Sequence, residues 1–462
     1  MFDAESFLNI FRVRSVRSRL LFTLFMLAVY RLGRYIPIPG VDIRVWDSLW
    51  SGTSNSALGF IDTIAAGNIK SLSIFALGGL ASIQASLIVL MGTLVHPRLR
   101  RARVEGELGR RKIAHWNLWV AVVLTFLFSL WASQRLIFAH PGVVIVSKFN
   151  FVVMATISLT AGSALISWIS EQITERGIGD GSSMLIFMGI VTKLPEAIAT
   201  IYGKLADTHA WSLITLFFVI AVIVVSIMLI VLVQRSERRI PIQSEKRIVG
   251  RRMMGGQSPH MPLAINPGGA KLMIVALVLM TSPMALIELF GTVRSKWMMS
   301  ALEATQAGEP LYYLLLPVLL IILSLLYVWS LFNPKEFAED LIKRGNFIPG
   351  IRPGLRTEEF IGNIVTRIAF VGGIYLALLC VVPDFLFWGI RMQHVPVVGD
   401  WIDGALLSSH VRWMATGLGV HVYFCGEMAL VATMIAMDFV DRIEALLIMR
   451  HFEGFALRSG HD

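Results

Sequence analysis

Runs of about 20 mostly apolar residues recur along this chain, and no other feature constrains its fold as strongly. A hydrocarbon layer about 30 Å thick is crossed by roughly 20 residues of helix. The runs fall near 20–37, 73–95, 116–134, 150–169, 182–201, 212–234, 269–291, 311–332, 364–385 and 416–437. Lipid offers the backbone no hydrogen-bond partners, so a span is either a helix or a strand of a closed barrel. Barrel strands alternate apolar and polar residues, and these runs do not. The sequence therefore predicts an all-α polytopic membrane protein with ten transmembrane helices. Only 16% of the 462 residues are charged and 55% are hydrophobic, against about 25% charged in a soluble domain. The segment Met1–Arg19 has four arginines and no small-residue cleavage site, so the first run is expected to be retained as a span.

The basic residues between the spans set an orientation. Lys and Arg number 4 in 1–19, 7 in 97–115, 1 in 170–181, 7 in 235–268, 6 in 333–367 and 3 after 438. Ten spans put all these segments on one side, which the positive-inside rule makes cytoplasmic, both termini included. Two of the segments stand out. Loop 235–268 is long, basic and rich in β-branched residues and glycine. Loop 333–363 clusters Pro349, Gly350, Pro353 and Gly354 around Arg352, and such residues fix a turn that would hold the arginine outward. Two readings stand: charges that only set topology, or a docking surface for an acidic partner such as ribosomal RNA or another protein.

Motifs for chemistry are missing. The sequence has no G-x-x-x-x-G-K-[ST] phosphate loop and no H-E-x-x-H pair; "HFEGF" at 451–455 lacks the second histidine. "GIGDG" at 177–181 follows no strand, which argues against a dinucleotide loop. No enzyme, cofactor or metal site is expected, and Cys380 and Cys425 are too few for a disulfide framework or a zinc site. Among charges within or near spans, Lys193 and Lys271 sit close to span ends and are read as snorkelling. Glu427 lies deep in the last span and invites a function. One further stretch, "FIDTIAAGNIKSLSIFALGG" at 60–79, is too polar for lipid and too apolar for a solvated loop.

Seven segments carry a family resemblance: "RLGRYIPIPGVD" (31–42), "SIFALGGLASIQASLIVLMGTLVHP" (73–97), "EGELGRRKI" (105–113), "SEQITERGIGDGSSMLIFMGIV" (170–191), "EKRIVGRRMMGGQSPHMPLAINPGG" (245–269), "NPKEFAEDLIKRGNFIPGIRPGLRT" (333–357) and "MDFVDRIEALL" (437–447). Together they resemble the SecY family, pore subunits of the bacterial Sec translocon, over nearly the whole chain. The resemblance implies two pseudo-symmetric five-helix halves, 1–203 and 204–462. It implies a protein-conducting channel closed by an apolar ring, here Ile83, Leu87, Ser182, Ile186, Ile274 and Val431. It makes 60–72 a movable plug, carrying Asp62, Ala65, Ala66, Gly67, Asn68 and Lys70. A plug in a partly wet funnel tolerates those polar groups, and its small residues avoid a tight lock.

The same resemblance implies docking of the SecA motor ATPase or the ribosome through Arg251, Arg252 and Arg352. Its other implied partners are the SecE and SecG subunits, an unfolded polypeptide substrate, membrane lipid and, as further candidates, SecDF and YidC. The implied location is the bacterial inner membrane. Three positions depart from the family pattern: Ser182 replaces a large aliphatic and is expected to wet the ring, Asp180 stands for asparagine, and Glu427 for a small polar residue. They suggest a divergent or accessory copy with restricted clients as an alternative. A solute transporter is a second alternative, but it needs midplane polar groups, where this chain has apolar ring positions.

Overall fold

The computed structural model describes residues 13–50, 62, 65, 67–96, 99, 102, 107–139, 141–206, 213–244, 247–249, 252–254, 260–266, 268–290, 305, 309–389 and 426–459. A helix stands at each of the ten expected spans: α1 (Arg14–Gly33), α3 (Gly78–Val95), α4 (Glu107–Ala139), α5 (Lys148–Arg176), α6 (Gly181–Ala206), α7 (Leu213–Gln234), α8 (Gly269–Phe290), α9 (Pro310–Leu331), α11 (Leu355–Trp388) and α12 (Glu427–Ser459). Two short helices lie outside the spans, α2 (Ile43–Trp50) and α10 (Pro334–Lys343). Among the described residues, six helices are long and apolar enough to cross a membrane, and α3 and α8 contain shorter apolar stretches, Ala81–Thr93 and Gly269–Met280. The fold is all-α and polytopic.

Boundaries differ from the expected spans where local chemistry intervenes. α1 ends at Gly33 and not near residue 37. Pro37 keeps Ile36 out of the helical region, and the chain turns to bridge Pro37 to Ser73. That turn also shortens the second span. Ile38 N–H donates to the Leu72 carbonyl at 2.9 Å and Ile74 N–H to the Ile36 carbonyl at 3.1 Å, so α3 starts only at Gly78. Part of the last expected span, 416–425, lies outside the described residues.

Burial sorts the helices. α7 is apolar all round, and Ile214, Phe217, Val224 and Met228 on it are exposed. A helix apolar on every face belongs in a core or in lipid, so these residues make a lipid-facing surface. Side chains of α1, α3, α5, α6, α8, α9, α11 and α12, with Ile230 from the opposite side of α7, build one buried apolar cluster, which includes Tyr30, Ile83, Ile166, Ile186, Ile274 and Val431. Gly33 on α1 and Gly162 on α5 permit close approach around this cluster, since a Cβ at either would overlap the Phe75 ring or the Ile74 carbonyl.

The described parts of the first basic loop form short antiparallel ladders, one of them with two residues of the second loop. β1 (Glu237–Pro241) pairs with β5 (His260–Ala264), and β3 (Arg247–Val249) with β4 (Arg252–Met254). β2 (Gln243–Ser244) pairs with β6 (Asn346–Phe347), which ties the first loop to the second. The β-branched content of the first loop is thus expressed as ribbon. Ile240 and Ile242 seat it on α11 through Ile361 and Ile364 in a second apolar cluster.

Candidate functional site

A cavity of about 880 Å³ lies among α3, α4, α5, α6, α8 and α9. Charged groups enter it from the start of α4 (Arg111) and the end of α5 (Glu171, Glu175, Arg176). Its apolar lining includes Ile83, Ile186 and Ile274, each less than a tenth exposed. Of the six expected ring positions, Ile83, Ile186, Ile274 and Val431 share the central apolar cluster. Leu87 is half-buried and belongs neither to that cluster nor to the cavity lining.

Ser182 lines the cavity, but its hydroxyl is not left to wet a ring. Ser182 Oγ and Ser183 Oγ each donate to Asp180 Oδ2 at 2.8 Å. Lys271 Nζ, from the first turn of α8, lies 3.3 Å from the same oxygen. Two departures from the family pattern and one charge near a span end therefore form a single clasp between the α5–α6 turn and α8. Burial works against the ionised carboxylate of Asp180, but the Lys271 charge and the two hydroxyls outweigh it and hold the acid below its ordinary value of 3.8. Stability from this group is present above the ordinary carboxylate range and is lost as pH falls through the depressed pKa. Lys271 is 55% exposed, so solvent screens the pair and limits its worth to about 1 kcal/mol or less. Asp180→Asn is expected to lower the thermal midpoint in detergent slightly at neutral pH, with the difference closing on acidification. A pH series of melting curves checks this.

The described residues of the stretch that is neither span nor loop form a dense, hydrogen-bonded turn. Asp62 and Asn68 are each 1% exposed, which corrects the expectation of a partly wet site. They are tolerated because they are bonded. Asp62 Oδ1 accepts from the Ile69 and Lys70 amides at 2.9 Å each, and the Asp62 carbonyl accepts from Gly67 N–H at 2.7 Å. Asn68 Nδ2 donates to Tyr30 Oη at 3.0 Å, and Trp46 Nε1 donates to the Lys70 carbonyl at 2.9 Å. Tyr30 stacks on Phe75 at 5.8 Å between centroids. Gly67 has φ +75°, and a Cβ there would meet the Arg34 guanidinium at 2.9 Å. Ala65 is buried, with its carbonyl 3.5 Å from the Tyr30 hydroxyl that donates to it. Ala66 lies outside the described residues. The small residues thus permit close seating, where the sequence reading had them easing release.

Lys193 does not snorkel. Its side chain is 16% exposed, and its Nζ lies 3.6 Å from Asp62 Oδ2 and 3.9 Å from Glu196 Oε2. Glu427 is buried as the first residue of α12, and its Oε1 has no hydrogen-bond partner among the described residues. Cys380 is buried, and its Sγ donates to Met273 Sδ at 3.5 Å; Cys425 lies outside the described residues. Of the basic docking candidates, Arg251 lies outside them too. Arg252 is on β4, and Arg352 is exposed on the turn between Gly350 and Gly354, whose φ values are +82° and +107°. Sequence reasoning missed the Asp62–Lys193 and Asp180–Lys271 pairs. The available signal was two aspartates and two lysines set in or beside apolar runs.

The family model for SecY matches residues 73–440. The protein translocase subunit SecY of Thermotoga maritima is 32% identical over 458 residues, covering 98% of this chain and 97% of that protein. The chain belongs to the SecY family. The Escherichia coli K12 SecY subunit is 34% identical over 441 residues, covering 95% of this chain and 93% of its own. Among solved structures, the chain resembles one from a study of the SecY plug domain, said there to stabilise the closed state of the translocation channel. That match has a TM-score of 0.59 at 13% identity, over 92% of this chain and 91% of the other. It also resembles Sec61 in a canine ribosome-channel complex, with a TM-score of 0.56 at 12% identity and the same coverage. At these identities the two structures establish the fold, that of a SecY-type channel.

Proposed function

We propose that this SecY-family chain is the protein-conducting channel of a Sec translocon and has no enzymatic activity of its own. Unfolded secretory polypeptides pass through it, and membrane segments leave sideways between its helices. The carrying observation is that Ile83, Ile186 and Ile274, from three helices, line one cavity and meet Val431 in one apolar cluster. A narrow apolar constriction excludes water and ions while bonding to nothing, so any sequence can slide through it. In this reading Ile83, Leu87, Ser182, Ile186, Ile274 and Val431 mark the ring, and 60–72 is the plug beneath it. The halves are 1–203 and 204–462, and both termini face the cytoplasm of the inner membrane.

The driving force comes from outside the chain, from SecA or the ribosome docked on Arg251, Arg252 and Arg352. SecE and SecG complete the complex, with SecDF and YidC as further associates. The test is complementation. In a bacterial strain depleted of its own SecY, this chain is expected to restore growth and export of a signal-bearing preprotein. Full membrane insertion without any recovery of export would overturn the reading.

A further inference from the structure

We propose that Lys193 is a switchable latch that holds the plug segment to the pore helix α6 in the resting channel. This deepens the channel reading and rests on it.

The argument starts from where the segment is tied. Tyr30, Arg34 and Trp46 hold it through hydrogen bonds and packing to α1, the turn that follows α1, and α2. Its tie to α6 is of another kind, a carboxylate–ammonium contact at 3.6 Å between Asp62 and Lys193. Lys193 follows Ile186 by seven residues, close to two helical turns, so both project from one face of α6. The latch and a residue of the apolar cluster therefore move together. A chain that pushes α6 outward shifts Lys193 away from Asp62.

The chemistry on each side of the pair suits a reversible contact. Asp62 is 1% exposed, and its Oδ1 is already used by the Ile69 and Lys70 amides. Among the described residues the second oxygen has no hydrogen bond, and its compensation is the Lys193 charge. Removing one partner of such a buried pair strands the other charge, which is costly. Lys193 has a second acid at hand, Glu196, one helical turn further along α6, 3.9 Å away and 63% exposed. When the plug leaves, the ammonium passes to Glu196 while Asp62 gains water. Each charge keeps a partner in both states, so the pair biases the closed state without making it permanent.

The test is the resting potassium chloride conductance of the full-length chain in planar bilayers. Lys193→Met and Asp62→Asn are each expected to raise the resting open fraction about tenfold, less than for a fully buried pair, because Asp62 keeps its two amide donors and Lys193 is 16% exposed with Glu196 beside it. Asp62→Asn keeps the Oδ1 acceptor for both amides, so it removes the charge and spares the turn. The double variant is expected to open no more than either single one. Glu196→Gln is expected to act oppositely and lower the open fraction, because Lys193 loses its alternative partner. A purely structural lysine would not give that inverse effect. Additive single variants, or singles that leave the conductance unchanged, overturn the latch. A chain lacking 60–72 separates the two readings. If it conducts while Lys193→Met stays closed, only the latch falls; if it does not conduct, the channel reading falls and the latch with it.

Discussion

Sealed vesicles carrying the Ile186→Asp variant are expected to lose a potassium gradient at rest about 100-fold faster than vesicles with the unaltered chain. Ile186 is 6% exposed, lines the cavity and packs in the cluster that contains Ile83, Ile274 and Val431. An apolar constriction blocks ions by dewetting, which needs no tight steric plug. A carboxylate placed there must either bring water with it or remain unhydrated, and a charge at membrane depth costs roughly 2.5–3.5 kcal/mol. Hydrating the constriction removes that cost, so opening is favoured by a similar amount, about 100-fold in population. Ile186→Leu keeps an apolar side chain of similar volume and is expected to stay sealed, which separates loss of the seal from loss of fold. Equal leak from the Asp and unaltered chains, both monodisperse in detergent, would remove Ile186 from the barrier.

The ten helices were legible because lipid leaves a chain so few options. Once a 20-residue segment is apolar throughout, as Leu213–Gln234 is, a helix is the economical way to satisfy its backbone. The ends of helices were less legible. Residues 34–37 are apolar enough to prolong α1, but Pro37 and the bridge to Ser73 pull them into a turn, and hydropathy carries no record of that bridge. The β2–β6 pairing was hidden for a related reason. Two residues on each side make no periodic pattern, and the partners are a hundred residues apart in the chain, at 243–244 and 346–347.

In the candidate site, residue types were readable and their pairings were not. From the sequence, Asp62 reads as a group in a partly wet funnel, Lys193 and Lys271 as snorkelling, and Asp180 only as a departure from the family pattern. The fold joins them into two pairs, one on the plug segment and one beside Ser182. The consequence for Ser182 could not be inferred from its position alone. A hydroxyl wets a ring most when its O–H has no other acceptor, and here Ser182 donates to Asp180 Oδ2. Burial of Asp62 and Asn68 was missed in the same way, because their polarity was read without the backbone amides and the Tyr30 hydroxyl that satisfy it.

Arg352→Glu is expected to reduce motor-driven or ribosome-driven export to near background while leaving the folded chain in the membrane. The side chain is exposed, and the turn that carries it is fixed from both ends. Ile351 N–H donates to the Ile348 carbonyl at 3.1 Å, and the Thr357 hydroxyl donates to the Arg352 carbonyl at 3.0 Å. Thr357 is itself buried at the start of α11, so the turn is anchored to a membrane helix. The backbone that presents the guanidinium is thus fixed, and the planar fork pairs with a carboxylate or a phosphate at two points. Removing one partner of a well-formed interfacial charge pair costs about 2–5 kcal/mol, and reversing the charge adds repulsion, so binding weakens by at least about 30-fold. Topology gives the control. One arginine among the six basic residues of 333–367 is too few to reorient the chain, so Arg352→Ala and Arg352→Glu are both expected to insert normally, with export falling further for Glu. Binding of the motor or ribosome to vesicles, measured beside export, decides the matter: undiminished binding by Arg352→Glu would leave Arg352 as a topology-setting charge and no more.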